Sequence, residues 1–166
     1  TFLGGDSQET GWSLAVENGI AYIGGETSSA NFPVTDGTNI YAGEGDAFVV
    51  ALNPTGTGLV YSRLLGGEDQ DRGYGIAVEN GSAYLTGITY SSGFPGGGYY
   101  ANGDVFAAKL NSGGTLNYSL VTGGNQVDAG FGIAVRNGIA WLTGETWSGN
   151  FTNELKGEDD AFIMSL

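Results

Sequence analysis

The chain has 166 residues, a net charge of −13, five basic residues, no cysteine and no histidine. That charge repels phosphate backbones and anionic lipid, so nucleic-acid partners and membrane insertion are not expected, and no apolar run reaches spanning length. Disulfides, thiolate or imidazole metal sites, and Cys or His catalysis are excluded outright. Glycine is the outlier at 32 residues against 3 prolines, yet 40% hydrophobic content leaves enough apolar surface to fold.

In chain order, Thr1-Phe2-Leu3 is a short β-like piece that ends in Gly4-Gly5. A polar, acidic loop leads to an alternating run, Trp12 to Val16, and then to Asn18-Gly19. Asn-Gly is a strong hairpin signal because both turn positions tolerate positive φ. Ile20 to Gly25 returns as a second strand, a long loop with Phe32-Pro33 follows, and Asp46 to Leu52 reads as a third. Asn53-Pro54-Thr55-Gly56 is a turn, and Leu59 to Leu65 a fourth strand that closes on Gly66-Gly67.

The unit then repeats. Tyr74 to Val78, Asn80-Gly81, Ala83 to Gly87, Asp104 to Leu110 and Leu116 to Thr122 form the second copy. Phe131 to Val135, Asn137-Gly138, Ile139 to Gly144 and Asp160 to Leu166 form the third, which lacks a fourth strand. The Gly-Gly heads at Gly4, Gly66 and Gly123 stand about 62 and about 57 residues apart. The fold class expected is all-β: a β-propeller of four-stranded antiparallel blades, three per chain. The whole of 1–166 reads as a single domain, with blades at about 6–65, 68–122, and 125–166 plus 1–3.

The second copy carries the pattern most fully: Gly66 to Thr89, Phe94-Pro95, Asp104 to Asn111 and Tyr118 to Gly124. This pattern resembles the bacterial SBBP-type β-propeller repeat over essentially the whole chain. Departures are Trp12-Ser13, Asn150-Phe151-Thr152 without proline, and Ile163-Met164-Ser165 without lysine. The resemblance implies a propeller of exported or cell-surface bacterial proteins with no common activity. With no starting Met and no signal peptide, the chain reads as a processed or excised piece.

Three blades are few for a ring, so self-association is expected. Thr1, Phe2 and Leu3 would complete a third blade through Asp160, Phe162, Met164 and Leu166. The ways are closure within one chain, a six-bladed ring from two chains, or an open filament. The chain as an excerpt of a longer array is the fourth reading.

Topology puts the acidic and long loops on one face, and the loop aromatics Tyr90, Tyr99, Tyr100 and Trp147 there are candidates for stacking on a glycan or a partner. The recurrent Trp12, Tyr74 and Phe131 are read as packing between blades. Asp6, Glu9, Asp69, Asp71 and Asp128 are oxygen ligands of the kind Ca²⁺ selects, set against a role in fastening the loop backbone; no other cofactor is implied. Glu26 and Glu145 are the one carboxylate pair that would suit glycoside hydrolysis, but Ile88 stands at the same place in the second copy. The expectation is a non-enzymatic structural or adhesive module, with a carbohydrate-binding module as the alternative and a hydrolase behind both.

Overall fold

A computed structural model describes residues 1–37, 41–98, 102–151 and 157–166. The fold is all-β. The first sheet pairs β1 (Glu9–Glu17), β2 (Ile20–Thr27), β3 (Asp46–Leu52) and β4 (Leu59–Leu65) in sequence order, all antiparallel. The second does the same with β5 (Asp71–Glu79), β6 (Ser82–Thr89), β7 (Asp104–Leu110) and β8 (Leu116–Thr122). The third holds β9 (Asp128–Arg136), β10 (Ile139–Thr146) and β11 (Asp160–Ser165), three strands among the described residues.

The hairpin signals fold as their chemistry requires. Asn18, Asn80 and Asn137 adopt φ of 51°, 53° and 54°, each followed by a glycine at φ of 75° to 80°, which is the backbone of a tight primed turn.

Residues recurring at equivalent places do so for a reason the alternation alone did not reveal. Register breaks between Gly11 and Ser13 and between Gly73 and Gly75. The third sheet shows the same shift, with Thr143 opposite Gly132 and Gly144 opposite Gly130. Trp12, Tyr74 and Phe131 are therefore the extra residues of three β-bulges, flanked by small residues that permit the bend. Their rings contact one another from sheet to sheet, Trp12 to Tyr74 at 5.4 Å and Tyr74 to Phe131 at 5.5 Å between centroids. The expected contact between units is there, although Trp12 and Phe131 stay half exposed.

The sheets stack face to face. β5 lies against β1, β2 and β3, and β9 against β5, β6 and β7. Tyr22, Val49, Tyr61 and Leu65 of the first sheet bury against Leu85, Phe106 and Leu110 of the second. Val105 and Ala107 on the second sheet's other face meet Leu142 and Phe162 of the third. A separate cluster of Phe32, Phe48, Val50 and Leu64 covers the first sheet's outer face.

Thr1 to Leu3 forms no strand here, which corrects the β-like reading of that segment. With no strand beside it to pair its backbone, the segment is held instead by Leu3 packing on the outer cluster and by the Thr1 hydroxyl donating to the Gly56 carbonyl. Phe2 is fully exposed. Of the other expected assembly residues, Phe162 is buried, Met164 and Leu166 pack beside it, and Asp160 opens β11. Among the described residues no helix is long and apolar enough to cross a membrane.

Candidate functional site

The acidic loop and the loop after the second strand of each unit are tied together by one repeated set of bonds. Ser29, Ser91 and Ser148 accept the N–H groups of Ser7, Asp69 and Gln126 at 2.8, 3.0 and 2.8 Å. Asn31 and Asn150 accept those of Asp6 and Asn125. Asp71 Oδ2 takes the Gly67 N–H and the Ser91 hydroxyl, both at 2.9 Å, and Asp128 Oδ2 takes Gly124 N–H and Ser148 hydroxyl at 2.7 and 2.8 Å. Glu9 holds the first unit more loosely, accepting from the Thr27 hydroxyl at 2.9 Å. The five acids considered for Ca²⁺ are thus spread over three loops. Among the described residues no three acidic or histidine side chains gather closely enough to hold a metal ion.

One pairing was invisible in the sequence. Asp46 and Asp71, from different units, are both buried and both reach Gly66. A Cβ on Gly66 would fall on Asp46 Oδ1 and come within 2.9 Å of Asp71 Oδ2. Asp104 and Asp128 straddle Gly123 in the same way. Burial pushes the Asp46 carboxyl up to about 7; the Ala42 N–H bond opposes this and the Asp71 charge adds to it. Burial pushes Asp71 up to about 6, against the bonds from Thr89, Gly67 and Ser91 and with the help of the Asp69 charge. Two carboxylates this close and this dry do not both ionise freely. Glycine is needed at 66 and 123 because a side chain there would displace these pairs.

These fastened loops carry the aromatics. The Tyr90 N–H donates to the Gln70 carbonyl at 3.0 Å, and the Trp147 N–H to Val127 at 2.9 Å; Ser28 to Gln8 is the same bond in the first unit. Residues 28, 90 and 147 are thereby equivalent, and only the last two are aromatic. Tyr90 and Trp147, with Asp69, Asn102, Gln126 and Val127, line one cleft of about 590 Å³ between the second and third sheets. Asn102 holds its place in a left-handed conformation (φ 62°) and bonds the Asn125 carbonyl. Trp147 is exposed and Tyr90 partly so. Two aromatic surfaces beside a carboxylate and two carboxamides can stack on an apolar ring face and bond its hydroxyls.

Tyr99 and Tyr100 lie outside the described residues. Asp69 was anticipated as a metal ligand and stands instead on this cleft; Asn102 and Gln126 were not anticipated, since nothing local marks them. Glu26 is engaged by Arg72, Nε to Oε2 at 2.9 Å, and belongs to the first sheet while Glu145 belongs to the third.

A comparison with protein-family models gives no match, and a search of curated proteins finds no significant relative. The family resemblance rests on the repeated residues themselves.

Proposed function

We propose that this chain is a non-enzymatic propeller-type module of an exported or cell-surface bacterial protein, and that it binds a neutral saccharide between its second and third sheets. The observation that carries this reading is the convergence of Tyr90 and Trp147, from successive repeats, on one cleft with Asp69, Asn102 and Gln126. The cleft falls within the size range of small-ligand sites. Asp69 and the net charge of −13 disfavour uronates and other acidic sugars. Serial antiparallel units, each later one packed on the one before through its first strand, support the propeller reading.

The test is an array of neutral and acidic glycans probed with the intact chain, Trp147→Ala and Tyr90→Ala. Binding of neutral glycans that falls about two- to tenfold in each variant is expected, since one stacked ring contributes about 0.5–1.5 kcal/mol. Glycan binding that survives both substitutions would reject the cleft.

Self-association is a second reading, as a structural or adhesive module that forms a six-bladed ring from two chains or a filament. It is favoured by the uncovered apolar face of the third sheet, where Trp141 and Ile163 are exposed.

A further inference from the structure

Consecutive sheets are clasped by a device that recurs twice. The Glu17 carboxylate accepts the N–H groups of Asn80 (2.9 Å) and Gly81 (2.6 Å), so the first sheet holds the hairpin turn of the second. Glu79 accepts those of Asn137 and Gly138, both at 2.7 Å. A carboxylate on two adjacent backbone donors is a charge-assisted pair and fixes the turn's position as well as its energy. The equivalent residue of the third sheet is Arg136. A guanidinium has no acceptor atom and cannot make this clasp.

The two ends of the stack are otherwise matched to each other. Tyr22 and Val49 are 3% and 0% exposed beneath the second sheet, whereas their third-sheet counterparts Trp141 and Ile163 are 50% and 72% exposed. With Ile133, Ala134 and Thr143 these two line a groove of about 290 Å³. At the other end Leu14 is 64% exposed, where its counterpart Ile76 is 8% exposed against the first sheet. Leu3 sits on the first sheet's outer cluster as its counterpart Leu65 sits between the first and second sheets. Thr1 to Leu3 therefore runs where the fourth strand of a preceding sheet would run. Phe2 is the counterpart of Leu64, which lies opposite Phe48 in register; the third sheet's counterpart of Phe48 is Phe162, stacked edge-on with Phe151.

We propose that a second copy of this chain docks its first sheet on the far face of the third, placing its Phe2 against Phe151 and Phe162, and that Arg136 keeps this contact weaker than the two internal ones. The proposal rests on the self-association reading and specifies it. The occupant is a second copy because each surface is the counterpart of one already in contact within the chain. The contact is head-to-tail, so it extends or closes by repetition. At the new junction the N–H groups of Asn18 and Gly19 would face a cation where the internal turns meet a carboxylate.

Sedimentation velocity across a wide concentration range tests this on the intact chain, Arg136→Glu and Phe2→Asp, with circular dichroism melts confirming that each is folded. Phe2 is solvent-exposed, so its replacement does not burden the isolated chain. Association that shifts to at least about tenfold lower concentration in Arg136→Glu, and is lost in Phe2→Asp, is the expected result. Association indifferent to both substitutions, or weakened by Arg136→Glu, would overturn this docking while leaving self-association standing. A chain that stays monomeric, with Arg136→Glu also monomeric, would overturn both.

Discussion

Replacing Asp71 tests whether the buried carboxylates are what join the sheets. Asp71→Ala removes the acceptor of the Gly67 N–H and of the Ser91 hydroxyl, both at 2.9 Å in a fully buried setting. Hydrogen bonds to a charged group contribute about 1.5–3 kcal/mol each, so the gross loss is about 3 kcal/mol or more. Removing the carboxylate also ends its own desolvation and its repulsion of Asp46, which return about 1 kcal/mol or more, so the net loss is at most about 2 kcal/mol. For a chain of 166 residues, that lowers Tm by at most about 4–8 °C. Asp71→Asn keeps an acceptor for the Gly67 N–H while removing the charge, and should stay within about 1 kcal/mol of the parent. Urea titration and calorimetry on the three proteins measure the difference. An Ala variant as stable as the parent, or an Asn variant that loses as much as Ala, would refute the fastening role.

The same pair dictates a pH profile. Folded values of about 7 for Asp46 and about 6 for Asp71 lie above the unfolded range near 4, so the folded chain holds the extra protons between these limits. The stability from these groups is therefore present at low pH and lost as pH rises from about 4 through about 7. Melts at pH 5 and pH 8 should show the higher Tm at pH 5, and Asp46→Asn should flatten the difference; a Tm difference that is unchanged in Asp46→Asn counts against the assignment. Gly66→Ala drives a methyl into Asp46 and Asp71, at a cost of about 1–3 kcal/mol by overpacking. Gly149→Ala has open space around its Cβ and serves as the control in the same denaturation series; equal effects would contradict the crowding at Gly66.

Much of the fold was legible because its signals are local. Asn18-Gly19, Asn80-Gly81 and Asn137-Gly138 need only their own backbone to form a turn, and the strands on either side need only the turn to set their register. The all-β, three-unit reading followed from these. What escaped was anything made between units. Asp46 read only as the start of a strand and Asp71 as a loop acid, because no pattern in the chain says that both face Gly66. Glu17 and Arg136 carry no local mark of the clasp, which shows only once Glu17 is seen to hold the Asn80 and Gly81 N–H groups. The bulges at Trp12, Tyr74 and Phe131 hid behind an alternation that continues on either side of them. Tyr90 and Trp147 were recognisable as loop aromatics, but their convergence depends on how the third sheet stacks on the second.

The chain's three tryptophans offer the most direct test of the saccharide-binding proposal, because they stand in three different settings. Trp12 belongs to the inner aromatic row, Trp141 to the open face of the third sheet, and Trp147 to the cleft. Indole N–H signals in a ¹⁵N–¹H spectrum, followed while neutral oligosaccharides are titrated in, report each one separately. The Trp147 signal should move in a saturable manner while those of Trp12 and Trp141 stay in place. Saturable shifts confined to Trp12 or Trp141, or a Trp147 signal unmoved by every neutral sugar, would contradict a binding site between the second and third sheets.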